Sequence, residues 1–215
     1  MKDKLLTMLR LQDQLNQTVH PEWRSQGFKW TRAIMVEGVE ALEHYGWKWW
    51  KKQEPDLPQV RIELVDIWHF IMSHTMEQYP GAQQQADVRL AYLMENGPPG
   101  YLVEGDPRTC LELLISRAAG GEIHVNAFLA LMAHTGMSFD DLYRLYIGKN
   151  VLNMFRQANG YKAGTYIKMW GGEEDNVVLD RLLTLRPDAT PGELTNRLGQ
   201  LYNKVTVPTF DENEE

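Results

Sequence analysis

The sequence predicts an all-α fold, a helical bundle with an inserted helical segment, and three observations predict it. Apolar residues recur at intervals of three and four over most of the 215 residues, the spacing that builds one buried stripe along a helix. No stretch of useful length alternates apolar and polar residues as a strand does. Glycine and proline cluster between the periodic segments, at Gly46, Pro55, Pro80, Pro98-Pro99, Gly120-Gly121 and Gly160, where they punctuate helices.

Taken in order, Leu5, Leu6, Met8, Leu9, Leu11 and Leu15 give an opening amphipathic helix that ends near His20, Pro21 and Trp23. A second helix spans about 28–45, with Trp30, Ala33, Ile34 and Ala41 on one stripe, and stops around Gly46. An aromatic and basic cluster, 47–52, and a turn over 54–58 follow. Pro58 suits an early helical position, and Val60, Leu64, Ile67, Trp68, Ile71 and Met72 supply the buried face of a third helix that ends before Pro80.

Helical segments at about 83–94, 109–119 and 123–134 form the inserted part, roughly 83–136. A long helix over 139–158 buries Leu142, Leu145, Tyr146, Val151, Leu152 and Phe155 and stops at Asn159-Gly160. The stretch 160–176, rich in Gly, Tyr, Lys and Trp, has no clean period and reads as a ligand-gripping loop. Two short helices, 176–185 and 191–205, close a single domain over 1–205, and the acidic tail 206–215 is expected to be disordered.

Composition narrows the function classes. A chain 43% hydrophobic with seven Trp and nine Tyr is too aromatic for a disordered protein. Its formal net charge of −7 repels duplex nucleic acid and anionic membrane, so a polyanionic ligand needs a local cationic patch or a bound cation. Cys110 stands alone, which excludes an internal disulfide and fits a reducing cytoplasm. Charges interrupt the leucines of 1–15, as a signal peptide would not allow, and no stretch reaches the length of a membrane span.

The acidic residues carry the chemistry. Glu37 and Glu40 lie three apart on the second helix, and Glu63 and Asp66 lie three apart on the third, so each pair shares a helix face. If the helices pack antiparallel, four carboxylates converge. Glu37 cuts the stripe between Ile34 and Ala41, and Glu63 cuts the stripe between Val60 and Ile67. Carboxylates buried in that way need cations, and Mg²⁺, which bridges protein carboxylates to substrate phosphates, is the natural one, with Mn²⁺ as a substitute. His69, three residues after Asp66, reads as a hydrogen-bonded core histidine.

Lys149, Asn153 and Arg156 fall on one face of the long helix at spacings of four and three, with Lys162 and Lys168 beyond it. A triphosphate meets there a point charge, an amide and a guanidinium fork.

The run KNVLNMFRQANGY, Lys149 to Tyr161, followed by Lys162, Gly164, Tyr166, Lys168, Trp170 and the triplet Glu174, Asp175, Asn176, resembles the C-terminal motif of the dimeric all-α dUTPases. The two carboxylate pairs resemble the metal motifs of that family, LQDQLN (Leu11 to Asn16) its N-terminal motif, and Trp47 to Lys52 its aromatic-basic segment. Together these cover most of 9–176, whereas the insertion carries no matching motif. The carboxylate motif is shared with the wider MazG-like pyrophosphatase superfamily; the late motif is the one that points to dUTP.

The resemblance implies an all-α nucleotide pyrophosphohydrolase that converts dUTP, and dUDP, to dUMP with Mg²⁺ as a homodimer, water attacking the β-phosphorus. It implies that Glu37, Glu40, Glu63 and Asp66 hold the metal, that Glu37 or Glu40 activates the water, and that Lys149, Asn153, Arg156 and Lys168 neutralise the phosphates. Uracil needs a donor to O4 and an acceptor from N3, which an amide supplies; Gln12, chosen over Gln14 on helical phase, and Asn16 are the candidates. Trp49 or Tyr161, packed on the sugar, would exclude a 2′-hydroxyl. Two rivals share the scaffold: a helical pyrophosphohydrolase acting on dCTP or damaged nucleotides, and a regulatory protein-binding module.

Overall fold

The computed structural model describes residues 1–79 and 83–206. The expected acidic tail therefore lies outside the described residues from position 207 on. The chain divides into two compact units, 1–143 and 144–215, and the division falls within one long helix.

In the first unit, α1 (Lys2–Val19) is followed by a single 3-10 turn (Trp23–Ser25), α2 (Trp30–Tyr45) and α3 (Leu57–Gln78). The segment expected as an insertion forms α4 (Gln83–Asn96), α5 (Gly100–Glu104), α6 (Pro107–Ala119) and α7 (Val125–His134), and α8 (Phe139–Ala158) carries the chain into the second unit. The short α5 lies where the sequence predicted only a break. Its five residues are too few to show a helical period.

α3 is the centre of the first unit and packs against α1, α2, α4 and α7. Its sequence explains this, because Val60, Leu64, Ile67, Trp68, Ile71 and Met72 leave little of its surface polar, and all six are buried. Trp68 stacks on Phe128 of α7 with centroids 5.4 Å apart, a pairing worth about 1 kcal/mol beyond the area it buries. Asp56 caps α3 by accepting from the Gln59 N–H at 3.2 Å, and Pro58 takes an early position where no backbone donor is required.

α2 and α3 run antiparallel. The Trp30 indole at the start of α2 donates to Glu77 near the end of α3 at 3.1 Å, and at the opposite ends the Asp56 N–H donates to the His44 carbonyl at 2.9 Å. On its other side α2 packs on α6, and Gly38 permits the approach: a Cβ there would lie 2.8 Å from Ile115 Cγ1.

The second unit contains the remainder of α8, a two-residue hairpin of β1 (Met169–Trp170) and β2 (Glu173–Glu174), α9 (Asp175–Leu185) and α10 (Pro191–Thr206). Gly171 and Gly172 make the turn with φ of 63° and 92°, the left-handed pair that a two-residue hairpin requires. Strands this short leave no alternation to detect.

The core of this unit joins Leu152 of α8, Val178, Leu179 and Leu183 of α9, Leu194, Leu198 and Tyr202 of α10, and Trp170. Tyr166 stacks on Tyr202 at 5.1 Å, Trp170 lies 5.4 Å from the same ring, and the Tyr202 hydroxyl accepts from the Ile167 N–H at 3.1 Å. The irregular stretch 160–176, expected as a ligand-gripping loop, is thus partly scaffold, fastened to α10 by its aromatic residues. Among the described residues no helix is long and apolar enough to cross a membrane.

Candidate active site

The antiparallel packing of α2 and α3 brings carboxylate oxygens of Glu37, Glu63 and Asp66 within 4.8 Å of one another. Glu63 is buried, and Glu37 and Asp66 are half-buried. Glu40, one turn beyond Glu37, is exposed and stands outside this trio. Glu43 is engaged elsewhere: its carboxylate accepts from the Lys48 ammonium and, at 2.6 Å, from the Trp47 indole, and these contacts hold its carboxyl below the usual range.

His44, seven residues after Glu37 and so on the same face of α2, places Nε2 3.6 Å from Glu63 Oε1. Sequence reasoning missed it, although a spacing of seven from Glu37 sets it two turns along the same face. His69 is a core histidine as expected; it is buried, and its Nδ1–H donates to the Val65 carbonyl at 2.8 Å. Three carboxylates at this separation repel one another and present hard oxygen donors. That donor set fits a divalent cation such as Mg²⁺.

Gln12 and Asn16 face inward from α1, whereas Gln14 is exposed. Gln12 Nε2 donates to Asn16 Oδ1 at 3.0 Å and to Ser73 Oγ at 3.1 Å, and Asn16 Nδ2 donates to the same hydroxyl at 2.9 Å. Ser73 in turn donates to the His69 carbonyl at 2.9 Å. One serine therefore fixes the orientation of both amides, and sequence reasoning missed it, although it stands one turn after His69 on the buried face of α3. Trp49, by contrast, is 89% exposed, with its ring edge-to-face with Trp50.

The second unit gathers the basic residues. Lys149 Nζ and Arg156 Nη2 both donate to Asn176 Oδ1, at 2.8 and 3.1 Å, and Arg156 Nη1 donates to Asn153 Oδ1 at 3.1 Å. The predicted face of α8 is present. It also has an acidic centre: Asp175, fully buried, accepts from Arg156 Nε at 2.8 Å, from Nη2 at 2.7 Å and from the Tyr166 hydroxyl at 2.7 Å. Burial pushes the Asp175 carboxyl up, yet the Arg156 guanidinium outweighs it and the net shift is downward. Burial and the bond to Asp175 push the Tyr166 phenol well above its ordinary range.

Arg156 also lies over the Tyr161 ring, 5.7 Å from its centroid. Lys168 stands apart, half-exposed and paired with Glu174 at 3.2 Å.

An all-α fold that carries an acidic trio on two packed helices is the frame of a helical nucleoside triphosphate pyrophosphohydrolase. The family model for dUTPase matches residues 4–161, well over half of the chain, and the chain belongs to that family. It is a hydrolase acting on dUTP, a dUTP diphosphatase. No curated protein matches the chain. The matched span contains Gln12, Asn16, the trio, Lys149, Asn153, Arg156 and Tyr161, and it stops short of Lys168 and Asp175.

Proposed function

We propose that the protein hydrolyses dUTP, and also dUDP, in an Mg²⁺-dependent reaction with the cation held by Glu37, Glu63 and Asp66. The carboxylate trio carries this reading, since its oxygens lie within 4.8 Å of one another on two helices fixed at both ends. Glu40, exposed one turn further along α2, is assigned to the same set on its spacing from Glu37. A divalent cation bound there offsets the carboxylate repulsion and draws charge from phosphate oxygens, and Mn²⁺ meets the same donors.

Glu37, less buried than Glu63, suits the role of general base. It accepts a proton from the attacking water at a carboxylate oxygen as the water oxygen bonds to phosphorus and the phosphoanhydride bond breaks; Glu40 is the alternative base. The products from dUTP are dUMP and pyrophosphate. Lys149, Asn153, Arg156 and Lys168 bind phosphate oxygens, a role supported by the shared bonds among the first three. Gln12 and Asn16 recognise uracil, supported by the fixed orientation of their amides, while Trp49 and Tyr161 face the base or sugar.

The MazG-like carboxylate pattern and the exposed Val36 and Val39 on α2 support, respectively, the superfamily and a homodimer. Cys110, a buried thiol, supports a cytoplasmic site of action. The test is dUTP turnover across a titration of Mg²⁺ after chelation. Activity that returns with Mg²⁺ in the native protein but not in Asp66→Asn supports the reading. Full activity in chelator overturns it.

A further inference from the structure

We propose that Asp175 is the positioning residue of the phosphate-binding face, acting through Arg156 and tied to the segment after α8 by Tyr166. The inference rests on the reading of Arg156 and Lys149 as phosphate-binding residues. A lone arginine on α8 would carry its charge on a long, freely rotating stem. Here the fully buried Asp175 engages two guanidinium nitrogens, Nε at 2.8 Å and Nη2 at 2.7 Å, and a two-point bond of this kind fixes the plane of the fork as well as its position.

The charges of Asp175 and Arg156 cancel at close range. What Arg156 retains is therefore orientation more than attraction. Its neighbours show where that orientation is used: Nη1 bonds Asn153, and Nη2 shares Asn176 Oδ1 with Lys149. Asp175 and Asn176, consecutive at the start of α9, thus hold in register three of the four side chains assigned to phosphate, Lys149, Asn153 and Arg156.

Tyr166 adds the link to the loop. Its hydroxyl donates to Asp175 Oδ2 at 2.7 Å while its ring stacks on Tyr202 of α10. A buried ion pair used only for stability is readily exchanged for apolar packing. This one is bonded instead to polar side chains that extend to Lys149.

The experiment is a double-mutant cycle on dUTP hydrolysis, with kcat, KM and Tm measured for Asp175→Asn, Arg156→Lys, the double variant and Tyr166→Phe. Arg156→Lys keeps the charge opposite Asp175 and loses the fork. Asp175→Asn and Arg156→Lys should each lower kcat/KM by about 10- to 100-fold, the cost of releasing a positioned group. The double variant should be no worse than Arg156→Lys alone.

Losses in kcat/KM that multiply in the double variant, or a fall in Tm with kcat/KM unchanged at a temperature where all variants are folded, overturn the proposal. Impaired Arg156→Lys beside unimpaired Asp175→Asn also overturns it and leaves the phosphate reading intact. Arg156→Lys at native kcat/KM overturns the proposal, because the fork is then dispensable, while a cation at position 156 can still meet phosphate. If Asp175→Asn does not fold, Tyr166→Phe decides: a fall of about five-fold, absent in the Arg156→Lys background, supports the positioning role, and no fall refutes it.

Discussion

Replacing Asp66 by Asn removes one charge from the trio and one hard oxygen donor, with almost no change in volume. Oxygens at the 4.8 Å outer limit of the trio repel by about 3.5 kcal/mol per pair at an effective dielectric constant of about 20. Solvent at the half-buried Glu37 and Asp66 lowers this to about 1 kcal/mol per pair. Asp66 takes part in two of the three pairs, so the native site has a strong reason to take up a cation and the variant a much weaker one.

At Mg²⁺ near 100 times its Kd, binding stabilises the native fold by about 2.7 kcal/mol, a rise in Tm of about 5–11 °C for a chain of this size. A ligand loss that weakens affinity by about 100-fold leaves about 0.4 kcal/mol at the same concentration, a rise of about 1 °C. Scanning fluorimetry with and without Mg²⁺ reads this difference directly, and dUTP turnover should fall by about 100-fold or more alongside it. An Asp66→Asn protein with the native Mg²⁺-dependent rise in Tm would refute the assignment of Asp66 to the cation.

Three further outcomes are expected. Gly38→Ala should destabilise the protein by about 1–3 kcal/mol in urea unfolding, because its Cβ would lie 2.8 Å from Ile115 Cγ1 between α2 and α6; an unchanged midpoint would show that Ile115 yields freely. The depressed carboxyl of Asp175 contributes stability that is complete above the unfolded pKa of about 4 and is lost as pH falls through the lower folded value. The stability gap between the native protein and Asp175→Asn should therefore hold near pH 6 and narrow below about pH 4, and a gap that widens in acid would reverse the sign. Gln12→Ala, which removes a side chain that bonds both Asn16 and Ser73, should reduce the preference for dUTP over dCTP measured as a kcat/KM ratio, whereas an unchanged ratio would take Gln12 out of base recognition.

Much of the helical frame was legible because each long helix repeats its own instruction. α3 declares itself through Val60, Leu64, Ile67 and Ile71, and the trio through two i, i+3 pairs that interrupt such stripes. Helical phase also separates Gln12, which is buried, from Gln14, which is exposed. What the sequence did not reveal depends on distant parts of the chain meeting. The bonds of Ser73 to Gln12 and Asn16 join positions 61 and 57 residues apart, and no local pattern encodes that meeting.

The same holds for Asp175. A motif marks the residue, but only the folded chain shows it gripping Arg156, 19 positions earlier. Glu40 shows what spacing leaves open: it pairs Glu40 with Glu37, while the structure leaves Glu40 exposed and outside the close trio. α5 and the hairpin at 169–174 were too short for any period to emerge.

The most direct measurement is pyrophosphate release from dUTP and from each of the eight common ribo- and deoxyribonucleoside triphosphates, with Mg²⁺ and with chelator. A tight pocket for uracil and a cation held by Glu37, Glu63 and Asp66 predict that dUTP exceeds dTTP by about 10- to 200-fold in kcat/KM, the range that one methyl group allows, and that chelator abolishes the release. Preferential turnover of dCTP, or undiminished turnover of dUTP in chelator, would contradict it.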